Sequence, residues 1–537
     1  MNGPAGISAA ALAAAGALAA MLGLIATPLA GLLLAVSGNG TAAEVIHDPY
    51  VWHVARFTVW QAFLSTLLST LFAIPVARAL ARRNAFPGRA LLVRLLSLPL
   101  ALPQLVAVLG ILSVWGSNGW LARASAAWGG GWMPDIYGLP GILIAHVFFN
   151  MPLMVRLITA ALERVPGEYW RLAAQLGMSP GTIWRLVEWP AIRAALPGAA
   201  ALVFMLCATS YTVVLVLGGG PGASTLEVAI YEALRFEFDP PRAVALAMLQ
   251  LAITATVFLV LRRLATPMES GFIPHAPFPR LDGNRRSARL HDAFWLLLAA
   301  TYIAAPLAGI VISGLAADLP RLVTEPAVHD ALRTSLLLAA TACLIALLLT
   351  WALLQALRGR RGGITENALS RAGDLAASLV LIVPPVILGA GWFVILMPAG
   401  NMDWYAPLVV AVINALMSLP FSWRVLQPAF RDVQERHGRL CAQLGLRGFA
   451  RLRLVDWPLM RRPLGLAAAL ALALSLGDLG AIALFGSEDF RTLPWLLYQR
   501  LGSYRTDDAA GLALALLVLI MILMTLAERA GRRKETS

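Results

Sequence analysis

Along the chain, long apolar runs alternate with short polar stretches. Runs long enough to cross about 30 Å of hydrocarbon, roughly 17–25 residues each, fall near 8–36, 57–77, 91–115, 138–158, 195–217 and 242–261. Six more fall near 292–314, 334–357, 375–398, 405–423, 464–485 and 508–527. The pattern predicts an all-α polytopic membrane protein with about twelve transmembrane helices. The first run is too long for the apolar region of a signal peptide, and no Lys or Arg precedes Arg56. It therefore reads as a span rather than a cleaved leader.

Composition agrees with the pattern. The chain is 59% hydrophobic and 13% charged, against about 25% charged residues in a soluble domain. Cys207, Cys343 and Cys441 show no paired spacing, which suggests neither a disulfide framework nor a thiolate metal site. The net charge of +13 changes meaning once the arginines are mapped. Most lie near 78–94, 156–193, 262–291, 358–374 and 424–462 and in the C-terminal tail. Basic residues stay on the cytoplasmic side of a membrane, so these loops and both termini are expected there, and no nucleic-acid surface is needed to explain the charge. The acids Glu227, Glu232, Glu237 and Asp239, and Glu488, Asp489, Asp507 and Asp508, fall in loops of the opposite side.

Two of the basic loops carry nearly the same text. "LAAQLGMSPGTIWRLVEWP" runs from Leu172 to Pro190, and "LCAQLGLRGFARLRLVDWP" from Leu440 to Pro458, 268 residues later, with ten of nineteen positions identical. Each reads as two short helices. The first, Gly167 to Leu176 or Arg436 to Leu444, stops at Gly177 or Gly445, where glycine can take the left-handed conformation that closes a helix. A turn over Met178 to Gly181 or Leu446 to Gly448 follows, and a second helix runs to Pro190 or Pro458, which ends it or marks entry into the next span. "WRLVEW" and "LRLVDW" put apolar side chains on one face. A helix-turn-helix knuckle outside the lipid is suited to touching another protein, and two copies of one partner would require both knuckles to fit the same groove.

The small residues before each glycine, with a proline thirteen residues after it, resemble the cytoplasmic "EAA" coupling loop of permease subunits in ATP-binding-cassette (ABC) importers. The matching positions are Ala173, Ala174, Gly177 and Pro190, then Ala442, Gly445 and Pro458. Arg171 and Arg439 stand where that family has its leading Glu, while Glu188 and Asp456 keep an acid before each Trp-Pro. The stretches "IAHVFFNMP", "FMLCATSYTVVLVLGGGPGASTLEVAIYEAL" and "LGDLGAIALFGSEDFRTLPWLLYQRLGSYR" extend the likeness over essentially the whole chain. They resemble the fused twelve-span permeases of bacterial thiamine and thiamine-pyrophosphate importers. Iron(III) importer permeases share the fused build and a similar "GDLGA" region.

The resemblance implies two six-helix type I ABC importer permease repeats in a bacterial inner membrane. These are 1–265, with its coupling loop about 160–193, and 292–537, with its loop about 428–462, joined by a cytoplasmic linker over 266–291. It further implies two copies of an ATPase subunit on the knuckles, a periplasmic solute-binding protein, and thiamine or its phosphates as solute. A phosphate-binding loop needs Gly-Lys-Ser/Thr, and the single lysine, Lys534, precedes Glu535. ATP hydrolysis is therefore expected on a partner, with no cofactor, metal or catalytic residue in this chain.

Polar residues inside the apolar runs are candidates for the solute pathway, because charge in hydrocarbon is costly. Asp478, between Gly477 and Gly480, either meets a cationic solute directly or bonds backbone amides and shapes a gate. Tyr211 lies near the corresponding place in the first repeat. His146, Asn150 and Asn414 fit hydrogen bonds between helices better than solute contacts. "GGGP" at Gly218 to Pro221 lacks a following Lys and reads as a turn into the "STLEVAIYEAL" helix, re-entrant or at the outer surface. A secondary transporter of two six-helix repeats and a membrane scaffold are the other classes that duplicated six-span halves allow.

Overall fold

The computed structural model describes residues 9–38, 47–83, 85–130, 135–264, 280, 286–355, 380, 383–400, 402–446 and 448–531. All regular structure among them is helical. This follows from the apolar runs, because lipid offers no partner to backbone N–H and C=O groups and a helix satisfies them within itself. In chain order the first repeat holds α1 (Ala9–Gly38), α2 (Pro49–Arg82), α3 (Arg89–Ser97), α4 (Gln104–Trp115), α5 (Trp120–Ala127), α6 (Leu139–Glu163), α7 (Gly167–Gln175) and α8 (Pro180–Ile183). A π-helical turn (Trp184–Glu188) leads into α9 (Trp189–Ala208), then α10 (Thr212–Leu217), α11 (Leu226–Arg235) and α12 (Pro240–Leu264).

The second repeat holds α13 (Arg286–Ala316), α14 (Leu319–Thr324), α15 (Pro326–Gln355), α16 (Pro385–Leu396), α17 (Met402–Gln443) and α18 (Gly448–Arg451). A second π turn (Leu452–Asp456) leads into α19 (Trp457–Leu476), α20 (Gly480–Phe485), α21 (Leu493–Gly502) and α22 (Thr506–Gly531). Eleven helices among the described residues are long and apolar enough to cross a membrane. The run expected at 375–398 lies partly outside the described residues, which show there the shorter apolar α16.

Packing groups the helices into two units that do not follow the sequence repeat. One unit comprises α1, residues 230–247 and the chain from 314 onward; the other comprises 47–229 and 248–313. In the first of these, α15, α17, α19 and α22 pack together, and α1 lies against α15 and α16. In the other, α2, α6 and α9 form the core. Here α13 lies against α4 so closely that a Cβ on Gly110 would stand 2.5 Å from the Pro306 carbonyl oxygen. Small residues permit such approach between membrane helices. The first helix of each repeat is thus exchanged into the unit built from the other repeat. α1 is apolar on nearly all sides, whereas α13 carries Asp292, paired with Arg82 and Arg83, and Tyr302, whose hydroxyl donates to the Ile144 carbonyl.

Among the described residues three apolar runs expected as single spans are interrupted. The run at 91–115 breaks between Ser97 and Gln104. The run at 195–217 breaks after Ala208 and resumes at Thr212; the run at 464–485 breaks after Leu476 and resumes at Gly480. In each unit a short helix is then pinned to a long one by the same device. Thr58 Oγ1 of α2 accepts from Leu226 N–H at 3.0 Å. Ser335 Oγ of α15 accepts from Leu493 N–H at 2.8 Å. Each hydroxyl satisfies one of the free amides at a helix start. α11 and α21 are therefore packed elements with largely buried side chains.

Candidate functional site: two knuckles and two broken helices

The first knuckle begins at Pro166, which stands at the N-cap of α7. α7 ends in a Schellman motif: Met178 N–H donates to Ala173 O at 3.0 Å and Gly177 N–H to Ala174 O at 3.1 Å, with Gly177 at φ +60°. Ser179 then caps α8, its Oγ accepting from Thr182 N–H at 3.2 Å. The turn is two residues shorter than expected at its far end, because Pro180 and Gly181 already belong to α8. Trp170, Ala173, Ile183 and Val187 pack into a small core with Val165 and Met178. Ala173 faces inward, while Ala174, Gly177 and Pro190 are exposed.

The second knuckle repeats the closure: Leu446 N–H donates to Cys441 O at 2.9 Å and Gly445 N–H to Ala442 O at 3.3 Å, with Gly445 at φ +65°. Its approach differs from expectation. No separate helix starts at Arg436, since α17 runs unbroken from the apolar segment through to Gln443. The position 268 residues after Pro166 is Gln434, which keeps its N–H, and no proline lies between Pro428 and Pro458. Both knuckles then pass through a π turn, closed by Trp189 N–H to Trp184 O and Trp457 N–H to Leu452 O. Of the two expected roles, each proline takes the second: it marks entry into the next long helix, and the chain continues through Pro190 or Pro458 into α9 or α19. The repeated Trp-Pro pair is the only sequence signal for these π turns, which favour functional sites.

Glu188 and Asp456 are fully buried. Arg78 donates from Nε to Glu188 Oε2 at 2.8 Å, its Nη2 lies 2.6 Å from the same oxygen, and its guanidinium stacks 4.2 Å from the Trp184 ring centre. Arg451 Nε lies 3.6 Å from Asp456 Oδ1 and its Nη2 donates to Gln434 Oε1 at 2.5 Å. Glu188 thus ties the first knuckle to α2, while Arg451 braces Asp456 from within the second knuckle.

The outward-facing residues form the surface that the sequence analysis missed. Leu172, Leu176 and Leu186 on the first knuckle, and Leu440, Leu444 and Leu454 on the second, are each 51–63% exposed. Each pair stands 268 residues apart. Arg171 and Arg185, with Arg439 and Arg453, are exposed beside them at the same spacing. The signal was available as identical leucines, but a leucine in an apolar pattern reads as core until the fold shows it outside. An exposed apolar patch rimmed by charge marks an interaction surface.

Tyr211 and Asp478 fall in the two helix breaks, one in each unit. Asp478 Oδ1 accepts from Gly480 N–H and Oδ2 from Ala481 N–H, both at 3.2 Å, so the carboxylate caps α20. In the other unit two glutamines bond carbonyls at the end of α9: Gln61 Nε2 donates to Cys207 O at 2.9 Å, which also accepts from Ser210 N–H at 3.3 Å, and Gln250 Nε2 donates to Ala208 O at 3.1 Å. Tyr211 is buried immediately beyond them. His146 pairs with Ser65 Oγ at 2.9 Å, and Asn414 Nδ2 donates to Ser475 Oγ at 3.0 Å, both between helices.

The acidic outer surface is smaller than its residue count suggested. Glu227 and Asp508 are buried. Asp508 is paired with Arg321, Arg500 and Arg505, and Asp239 accepts from Arg242 N–H at 3.1 Å.

A duplicated, all-helical membrane chain with two matched exterior knuckles is the build of a transport component rather than of a single anchored domain. Residues 69–269 match the family described as binding-protein-dependent transport system inner membrane component, and the chain belongs to that family. Its relatives include the thiamine transport system permease protein of Brucella abortus, 53% identical over 96% of this chain and 95% of the relative. The protein of the same description from Escherichia coli is 44% identical over 92% and 91% of the two chains. That from Haemophilus influenzae is 39% identical over 89% and 88%.

Proposed function

We propose that this chain is the membrane-crossing permease of an ABC importer for thiamine and thiamine phosphates, with ATP hydrolysed on separate ATPase chains that dock on the two knuckles. The observation that carries the mechanism is the leucine triplet present at the same spacing on both knuckles, rimmed by Arg171 and Arg185 or Arg439 and Arg453. Two copies of one ATPase, each offering an apolar groove edged with acids, would meet the same surface twice. The thiamine reading is supported by the full-length likeness to proteins described as thiamine permeases. In this reading both termini and both knuckles are cytoplasmic, and a periplasmic binding protein delivers the solute from the other side.

Within the membrane, the two helix breaks are the parts suited to moving. A break held by side-chain caps can change its backbone without unravelling the long helix before it. Asp478 acts chiefly as the cap of α20, and Tyr211 lines the corresponding break. The test is uptake of radiolabelled thiamine into proteoliposomes holding this chain, its ATPase and its binding protein, with iron(III) in parallel. ATP-dependent thiamine uptake is expected. Uptake of iron(III) alone would keep the architecture and overturn the solute, and thiamine uptake by the chain alone would favour a secondary transporter.

A further inference from the structure

One residue of the stretch joining the repeats reaches into the first knuckle. Arg280 is nearly buried, its side chain 3% exposed. Its Nη2 donates to Glu188 Oε1 at 2.6 Å. Its guanidinium lies 3.9 Å from the centre of the Trp170 ring. Glu188 is thus gripped on one oxygen by Arg78 and on the other by Arg280. Each arginine also covers a tryptophan of the knuckle: Trp184 on the π turn and Trp170 on α7. Planar stacking combined with forked hydrogen bonding is what arginine supplies and lysine does not.

Neighbouring charges complete the cluster. Arg82 Nη2 lies 3.9 Å from Glu188 Oε1, and Asp292 pairs with Arg82 at 3.1 Å and Arg83 at 2.9 Å. Glu188 therefore keeps cationic partners if Arg280 is removed, so loss of Arg280 does not strand a buried carboxylate. The second knuckle lacks the receptor for such a grip, because the positions matching Trp170 and Trp184 are Gly438 and Leu452. The device belongs to one knuckle of the two.

We infer that Arg280 is a positioning residue for coupling: it joins α7 and the π turn of the first knuckle into one rigid arm, while the second knuckle is positioned by the unbroken α17. The coupling consequence rests on the knuckles being ATPase docking sites; the joining of the arm does not. Gln175 and Gln443 are exposed at matching positions of the two knuckles, and the three native cysteines are buried. Spin labels on Gln175→Cys or Gln443→Cys, in the full-length chain in lipid nanodiscs without partners, report each knuckle separately.

Arg280→Ala is expected to mobilise the label at 175 and leave the label at 443 unchanged, with Arg280→Lys intermediate. In the complete reconstituted transporter, Arg280→Ala is expected to lower solute carried per ATP hydrolysed by about five-fold or more, with partial recovery in Arg280→Lys and basal ATP hydrolysis unaltered. An unchanged label at 175, equal mobilisation at 443, or unchanged solute per ATP despite a mobilised knuckle would each overturn the inference. If Arg280→Ala fails to accumulate in membranes, Arg280→Lys carries both readouts: a wild-type result for it would overturn the stacking argument. Failure of the wild-type chain to bind the ATPase would sink the docking reading and leave the label measurement standing.

Discussion

At the scale of single residues, Gly177 and Gly445 do one conformational job each. A Cβ at either would meet nothing within 4 Å, so substitution costs only the left-handed backbone, about 1–2 kcal/mol for an L-residue. Gly177→Val or Gly445→Val should leave the membrane bundle folded and turn the second half of its knuckle away from the first. Solute uptake per ATP should fall in each single variant; wild-type uptake in both would remove the knuckles from the mechanism. Glu227 makes a different prediction. It is fully buried on α11, and among the described residues neither carboxylate oxygen has a hydrogen-bond partner. Burial raises its carboxyl well above the ordinary value of 4.5. The folded state then holds a proton that the unfolded state has released, so this group lowers stability as pH rises above 4.5. Glu227→Gln should raise the thermal midpoint of the detergent-solubilised chain, by more at pH 8 than at pH 5. An equal shift at both pH values would mean that the carboxyl is not proton-linked to folding.

At the scale of elements, the matched helix breaks explain why two polar residues stand in apolar runs. If Asp478 is a cap, Asp478→Asn, which keeps a good N-cap side chain, should retain most uptake, and Asp478→Ala should lose it. If its charge must meet the solute, both variants should fail alike, and uptake assays on the pair separate these outcomes. Gln61→Leu should destabilise the unit by about 0.5–1.5 kcal/mol, because it removes the shorter of the bonds to the Cys207 carbonyl and leaves it the longer one from Ser210 N–H at 3.3 Å; a thermal midpoint equal to wild type would show that the break is held by other means. Much at this scale was legible in the residues. The apolar runs located the long helices, and the glycine and proline punctuation located both knuckles. The polar residues at 209–211 and 477–479 were legible as candidates, but not that the helices stop there, since a polar residue in an apolar run can equally sit in a continuous helix. The continuity of α17 depended on Gln434 standing where the first copy has Pro166, a difference that weighs little in an alignment and much in a backbone.

At the scale of the whole molecule, duplication acts at two levels that the sequence reveals unequally. The knuckles repeat in text and in form. The pinning of α11 by Thr58 and of α21 by Ser335 repeats in form alone, because any hydroxyl at that place on the long helix serves. The placing of α1 in its packing unit is not marked in its apolar sequence, while α13 is tied into its unit by Asp292. What duplication preserves most closely is the outward leucine triplet, which has no role in either core. This is the pattern expected when one partner must be met twice, and it is the centre of the proposal. The most direct test is the number of ATPase chains bound per permease, measured by native mass spectrometry of the purified complex. The account predicts two for the wild-type chain, one for Leu176→Asp or for Leu444→Asp, and none for the double variant. Two ATPase chains on the double variant would contradict it.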